Sequence, residues 1–133
     1  MDVGVPVAVQ VAWDPRPVRE ACPMADDDVW ESIDRLCTWL DAHRTHGGQE
    51  GLLLRILKLS EEVGEVAEAV IGATGQNPRK GASHTWDDVR SELCDVVITA
   101  LVALRTLTPD AREVFMGHLA GVTERSLGAN PTP

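Results

Sequence analysis

The fold of this chain is decided by residues 58–69, which read KLSEEVGEVAEA. Glu62 and Glu65 are three positions apart, so on a helix they are neighbours on one surface. Apolar residues recur through and around this stretch at steps of three or four, as on one face of a helix: Leu52, Ile56, Leu59, Val63, Val66 and Val70. At about 100° of rotation per residue, Glu62 falls at the edge of this stripe and Glu65 further round. The stretch predicts an amphipathic helix with carboxylates beside its buried face.

A second acidic pair, Glu92 and Asp95, has the same spacing and precedes the uncharged run 96–104. This run is apolar on nearly all sides, which predicts a central helix. Two helices that each bring a carboxylate pair to one face could hold a hard divalent cation, and magnesium suits such oxygen ligands. Without metal, the four carboxylates should repel one another, and some of them should bind protons at unusually high pH. The alternative is that both pairs are solvated faces of exposed helices.

The motif Glu61-Glu62-x-x-Glu65, followed by Glu92-x-x-Asp95, resembles the signature of the MazG-like all-α nucleoside triphosphate pyrophosphohydrolases. The resemblance covers roughly residues 27–107. It implies an all-α, four-helix bundle. The run 96–104 presents apolar surface on more sides than one small four-helix unit can cover, which predicts that the bundle is completed by oligomerisation, as a homodimer or homotetramer. The resemblance also implies magnesium-dependent cleavage of (d)NTP to (d)NMP and pyrophosphate, as in house-cleaning of the nucleotide pool. The implied magnesium ligands are Glu62, Glu65, Glu92 and Asp95.

Hydrolysis between the α and β phosphates needs an aligned water molecule and neutralisation of the phosphate charge. Glu61 is either a base that orients this water or an exposed partner of a cation such as Lys58. Lys58 itself, one turn before Glu62, is placed either to reach phosphate or to pair locally. In the polar loop 75–81, Arg79 and Lys80 are candidate phosphate contacts, and the alternative is a flexible turn with two solvated cations.

An aromatic platform for a base is expected, because stacking needs a flat apolar ring. The chain has no tyrosine and one phenylalanine, so the candidates are Trp30, Trp39 and Trp86, and the alternative for each is a core or interface residue. The family often carries an Asn or a basic residue on its last helix, whereas in the stretch 118–125 of this chain there is no Asn and only Arg125 is available. Two alternatives therefore accompany the enzyme: a non-catalytic helical nucleotide-binding or assembly protein, and a phosphoribosyl-ATP pyrophosphohydrolase-like enzyme.

Periodicity and capping signals place four helices, near residues 27–44, 50–73, 86–107 and 109–126. Thr85 is expected to cap the third helix, with an acid three positions later. Thr108 and Pro109 are expected to start the fourth. The helical domain is predicted to cover residues 26–128, preceded by an extended or disordered arm (1–25) and followed by a flexible tail (129–133).

The formal net charge is −9, with 21 acidic against 12 basic residues. This acidity argues against a nucleic acid polymer as partner, but a nucleotide remains compatible because metal ions would offset the local carboxylates. No apolar run approaches the ~18 residues of a membrane span, so no membrane is expected. The chain has three cysteines, an odd number, and none of them shows Cys-x-x-Cys spacing. This predicts reduced thiols and a cytoplasmic protein.

Overall fold

The computed structural model describes residues 26–128 and, from residue 29 onward, their side chains. It contains four helices, α1 to α4, and no strand within this range, which confirms the predicted all-α class. The helices are α1 Asp26–His43, α2 Gly48–Thr74, α3 Trp86–Leu107 and α4 Ala111–Leu127. The predicted N-terminal arm and C-terminal tail lie outside the described residues.

The two long helices α2 and α3 form an antiparallel central pair. Arg55, early in α2, donates a hydrogen bond from Nη1 to Oγ1 of Thr106, late in α3, at 2.8 Å. Further along α2, Glu62 is hydrogen-bonded to the earlier α3 residue Thr99. This order brings the C-terminal half of α2 beside the N-terminal half of α3, where the two acidic motifs lie.

Helix α1 covers one side of this pair and supplies much of the core. Ile33 and Cys37 of α1 are buried with Leu101 and Val102 of α3. The Cys37 thiol donates to the Val102 carbonyl at 3.8 Å, and burial raises the pKa of this thiol. A buried free cysteine behaves mainly as a small apolar side chain, so Cys37 contributes to packing.

The start of α3 has the capping arrangement that its sequence predicts. The Thr85 hydroxyl accepts a hydrogen bond from the Asp88 backbone N–H at 3.2 Å. In return, the Asp88 carboxylate accepts from the Thr85 backbone N–H at 2.7 Å, and this bond is the main reason that the pKa of Asp88 is lowered. The reciprocal pair satisfies two backbone donors that the helix leaves free, which anchors the first turn of α3.

The end of α2 is joined closely to the segment before α3. Gly75 adopts the left-handed conformation (φ 62°), and its N–H donates to the carbonyl of Gly72, as is common at helix C-termini. That carbonyl also accepts from the N–H of Ser83 at 3.1 Å. A Cβ at position 72 would overlap the ring of His84 and the hydroxyl of Ser83, so any larger residue there would force these two side chains to move.

Helix α4 begins later than Thr108-Pro109 predicts. The N–H of Thr108 donates to the carbonyl of Leu104 at 3.0 Å, so Thr108 closes α3. Asp110 then precedes the first residue of α4, Ala111, which is fully buried. The start predicted at Thr108-Pro109 is therefore two residues too early. The Thr108 hydroxyl still accepts a hydrogen bond from the Asp110 N–H at 3.3 Å, so it caps the turn that leads into α4.

The buried side of α2 differs from the apolar stripe in its sequence. Ala69 is buried and glycine lies at position 72, whereas Val63 is 55% exposed. Small side chains let α3 approach closely, and the contact is therefore rotated away from Ile56 and Val63. These two residues, with Leu93 and Val97 of α3, are exposed and are referred to below as the outer apolar face.

Candidate functional site

Three carboxylates meet where α2 and α3 run side by side. Glu62 and Glu65 come from one surface of α2 and Glu92 from α3, and one oxygen of each lies within 4.8 Å of the others. Glu62 is buried, at 6% exposure, whereas Glu92 is half-buried and Glu65 is exposed. Such a set of oxygen donors is suited to a hard divalent cation. The structure thus brings together three of the four predicted ligands.

Asp95, the fourth predicted ligand, lies one helical turn after Glu92. Its carboxylate is exposed and is not part of the group of three. Its position on the same side of α3 follows from the three-residue spacing.

An ammonium group compensates the most buried of these acids. Nζ of Lys58 lies 2.7 Å from Oε1 of Glu62 and 3.0 Å from Oε2 of Glu61. The hydrogen bond from Lys58, together with one from Thr99, lowers the pKa of Glu62 despite its burial. Glu62 is therefore not one of the acids that meet the expectation of protonation at unusually high pH, because a cation lies beside it.

The same expectation is confirmed for Glu65. Partial loss of hydration and the negative charges of Glu62, Glu92 and Glu61 raise the pKa of Glu65. Glu65 therefore carries its charge in the folded protein at a cost that the unfolded chain does not have. A bound cation would remove this cost.

Replacing Glu65 with glutamine is expected to raise the melting temperature of the metal-free protein at neutral pH. A folded pKa above the unfolded value of about 4.5 means that ionised Glu65 destabilises the fold as pH rises through the folded pKa. The gain should disappear below pH 4.5, where the carboxyl group is protonated in both states. Thermal unfolding in EDTA across pH values tests this, with Glu68→Gln as control; a lower melting temperature for Glu65→Gln at neutral pH would contradict it.

An apolar cavity of ≈ 200 Å³ adjoins the acidic group. It is bounded by α1, α2 and α3 and lined by Leu36, Trp39, Leu40, Arg55, Lys58, Ile98, Thr99 and Val102. Two of these residues, Lys58 and Thr99, also contact Glu62. The cavity and the carboxylates are therefore two parts of one continuous site.

Trp39 supplies the aromatic surface of this cavity. Its side chain is 58% exposed and stacks on the ring of His43, with centroids 4.6 Å apart. The structure therefore places the predicted residues Trp39 and Lys58 on the same cavity. It does not place Trp39 in the core, whereas the other alternative, an interface residue, is compatible with this exposure.

Arg55 is a residue of this region that the sequence reasoning missed. Its Nη2 donates to Oδ1 of Asp41 in α1 at 2.8 Å, and its Nη1 bonds Thr106. The side chain is 17% exposed and lines the cavity. The available signal was spacing, because Arg55 precedes Glu62 by seven residues, which is close to two helical turns.

The loop cations lie apart from the carboxylates. Arg79 and Lys80 are exposed in the segment between α2 and α3. Lys80 lines a second cavity, of ≈ 330 Å³, with Gly64 and Glu68 on another side of α2. None of the described contacts joins either cation to the three carboxylates, so their role as phosphate contacts stays a prediction.

Two roles were considered for Glu61, and the structure shows one of them, the ion pair with Lys58. Its carboxylate is largely exposed and accepts a hydrogen bond from Lys58. An exposed carboxylate beside the three clustered acids is still open to water, so the pair is compatible with the base role. That role is untested by this geometry.

A scan against protein-family models and searches among curated proteins and solved structures find no match for this chain. Within the described part, the helices are too short or too polar to cross a membrane.

Proposed function

We propose that this protein is a magnesium-dependent nucleoside triphosphate pyrophosphohydrolase of the MazG-like kind. It would cleave (d)NTP to (d)NMP and pyrophosphate in the cytoplasm. The observation that carries the proposal is the group of three carboxylates, with oxygens within 4.8 Å of one another on two antiparallel helices. The apolar cavity beside it supports a substrate with both a charged and a flat apolar part.

Magnesium would be held by Glu62, Glu65 and Glu92, with Asp95 as the fourth predicted ligand. These residues suit magnesium because their donor atoms are all carboxylate oxygens, and α2 and α3 already bring those of Glu62, Glu65 and Glu92 together. When bound, the ion would offset the phosphate charge and lower the pKa of a bound water molecule.

The protein residues would bind and orient the substrate. The flat base would lie in the cavity against Trp39, where apolar contact and stacking favour it. The ammonium of Lys58 would face the phosphates from the rim of the same cavity. Glu61, on the exposed side, would orient the attacking water and accept its proton, while Arg79 and Lys80 are proposed as further phosphate contacts.

The position of Asp95 favours one alternative, a non-catalytic nucleotide-binding or assembly protein. With Asp95 exposed and outside the group of three, the site has fewer anionic ligands than the resemblance implies. Such a protein would bind magnesium and nucleotide without turnover.

The experiment that tests the proposal is an assay of the full chain with a panel of ribo- and deoxyribonucleoside triphosphates. With magnesium, we expect release of pyrophosphate and the matching monophosphate, and with EDTA we expect neither. Release of orthophosphate would contradict cleavage between the α and β phosphates. Nucleotide binding by calorimetry without any turnover would favour the non-catalytic alternative.

A further inference from the structure

The ammonium of Lys58 binds a carboxylate that a metal ion at this site would also bind. Its Nζ is 2.7 Å from Oε1 of Glu62, one of the three carboxylates that face one another. The Glu62 side chain is only 8% exposed, so water does little to stabilise its charge. In the metal-free protein the ammonium therefore supplies the compensation that a buried carboxylate requires.

Magnesium and the ammonium compete for the same carboxylate. A cation bound by Glu62, Glu65 and Glu92 would stand within a few ångströms of the Lys58 ammonium, at a partly buried position where like charges repel strongly. Magnesium also prefers to bind carboxylate oxygens directly, in tight octahedral geometry. Both features favour movement of Lys58 away from Glu62 when the metal binds.

The fold provides a position for the displaced side chain. Lys58 is 51% exposed, has a flexible four-carbon stem, and lines the apolar cavity next to Trp39. After it leaves Glu62, its ammonium remains at the junction between cavity and carboxylates. An anion bound to the metal would then meet a second cation at this junction.

We propose that Lys58 is a displaceable counter-ion: it neutralises Glu62 without metal, and metal binding frees it to bind the phosphates of the nucleotide. The inference rests on the metal site of the proposed function. It predicts that the metal binds before the nucleotide, because the ammonium of Lys58 becomes available to the phosphates only after the metal has bound.

The test uses the full chain, freed of metal with EDTA and then dialysed, and compares wild type with Lys58→Met and Lys58→Gln. The control is Arg35→Met, which removes an exposed cation of α1 that has no part in the proposed site. Calorimetric titration with MgCl₂ should show roughly three- to tenfold tighter binding for both Lys58 variants, which corresponds to the loss of one competing ion pair. Arg35→Met should change the dissociation constant by less than about twofold.

A second titration measures the other half of the proposal. With magnesium saturating, an α,β-methylene nucleoside triphosphate should bind the Lys58 variants about tenfold more weakly than wild type, because a charge-assisted phosphate contact is lost. The melting temperature in EDTA should also fall for Lys58→Met, and less for Lys58→Gln, which retains a polar partner for Glu62.

The outcomes separate this inference from the function on which it rests. If wild type and Arg35→Met bind magnesium, but the Lys58 variants bind it equally well or more weakly, the counter-ion role is overturned and the metal site stands. Unchanged affinity of the Lys58 variants for the nucleotide analogue would overturn the phosphate role. If magnesium binds none of the four proteins, the metal site fails and this inference fails with it.

Discussion

Replacing Glu62 with glutamine is expected to abolish magnesium-dependent release of pyrophosphate and to remove the stabilisation that magnesium gives. Glu62 is the most buried of the three clustered acids, and an amide cannot supply its charge. Loss of a residue that merely supports a metal ligand costs about 10- to 100-fold in affinity or activity, so loss of a ligand should cost at least about 100-fold. Pyrophosphate release and the shift of melting temperature with magnesium measure the two effects.

The same change should lower stability without metal. The amide leaves Lys58 without its buried anionic partner, at a cost of about 1 kcal/mol for a pair with one exposed member. Because the pKa of Glu62 is lowered, its contribution is present above the unfolded pKa and is lost as pH falls through the folded pKa. The difference in EDTA should therefore vanish in acid. Glu68→Gln is the matched control on α2, and full metal-dependent stabilisation of Glu62→Gln would exclude Glu62 as a ligand.

The second large effect is expected in the state of association. The outer apolar face exposes Val63 and Val97 at 55% and 57%, and Val97 lies about 140° around α3 from Val102, which packs on α1. Contiguous exposed apolar surface of this kind is typical of an interface. We expect the full chain to sediment as a dimer or tetramer at micromolar concentration and Val97→Asp to sediment as a monomer, because a buried unpaired carboxylate is strongly unfavourable.

The control for this experiment is Leu127→Asp at the end of α4. Leu127 is 72% exposed and lies outside the outer apolar face, so the same charge there should leave the association state unchanged. A wild-type chain that is folded and monomeric at micromolar concentration would contradict the prediction. Equal dissociation by both variants would place the interface elsewhere.

The sequence was sufficient to predict the helices and the meeting of the acids, because both depend on local periodicity. The three-residue spacing put Glu62 and Glu65 on one surface, and a single connecting loop made α3 return alongside α2, which brought in Glu92. These features need no knowledge of side-chain rotamers.

Other features depended on the packing between helices and were not predictable in the same way. Contact at Ala69 rotated the buried side of α2 and left Val63 in solvent. Several acids lie within reach of Lys58 along the sequence. Its short contact with Glu62 depends on the burial of that acid by α3. Arg55 was overlooked because its partners, Asp41 and Thr106, are distant in sequence and come together only in the fold.

The close approach at Gly72 has a consequence for helix register. Its carbonyl holds Ser83, two residues before the capping residue Thr85, and thereby sets where along α2 the first turn of α3 begins. A slip of α3 by one residue would rotate Glu92 by about 100° and shift it by about 1.5 Å. Gly72 thus contributes to the rotation of α3 that turns Glu92 toward Glu62 and Glu65, although it contacts none of these carboxylates. A side chain at position 72 would disturb the site by misaligning α3.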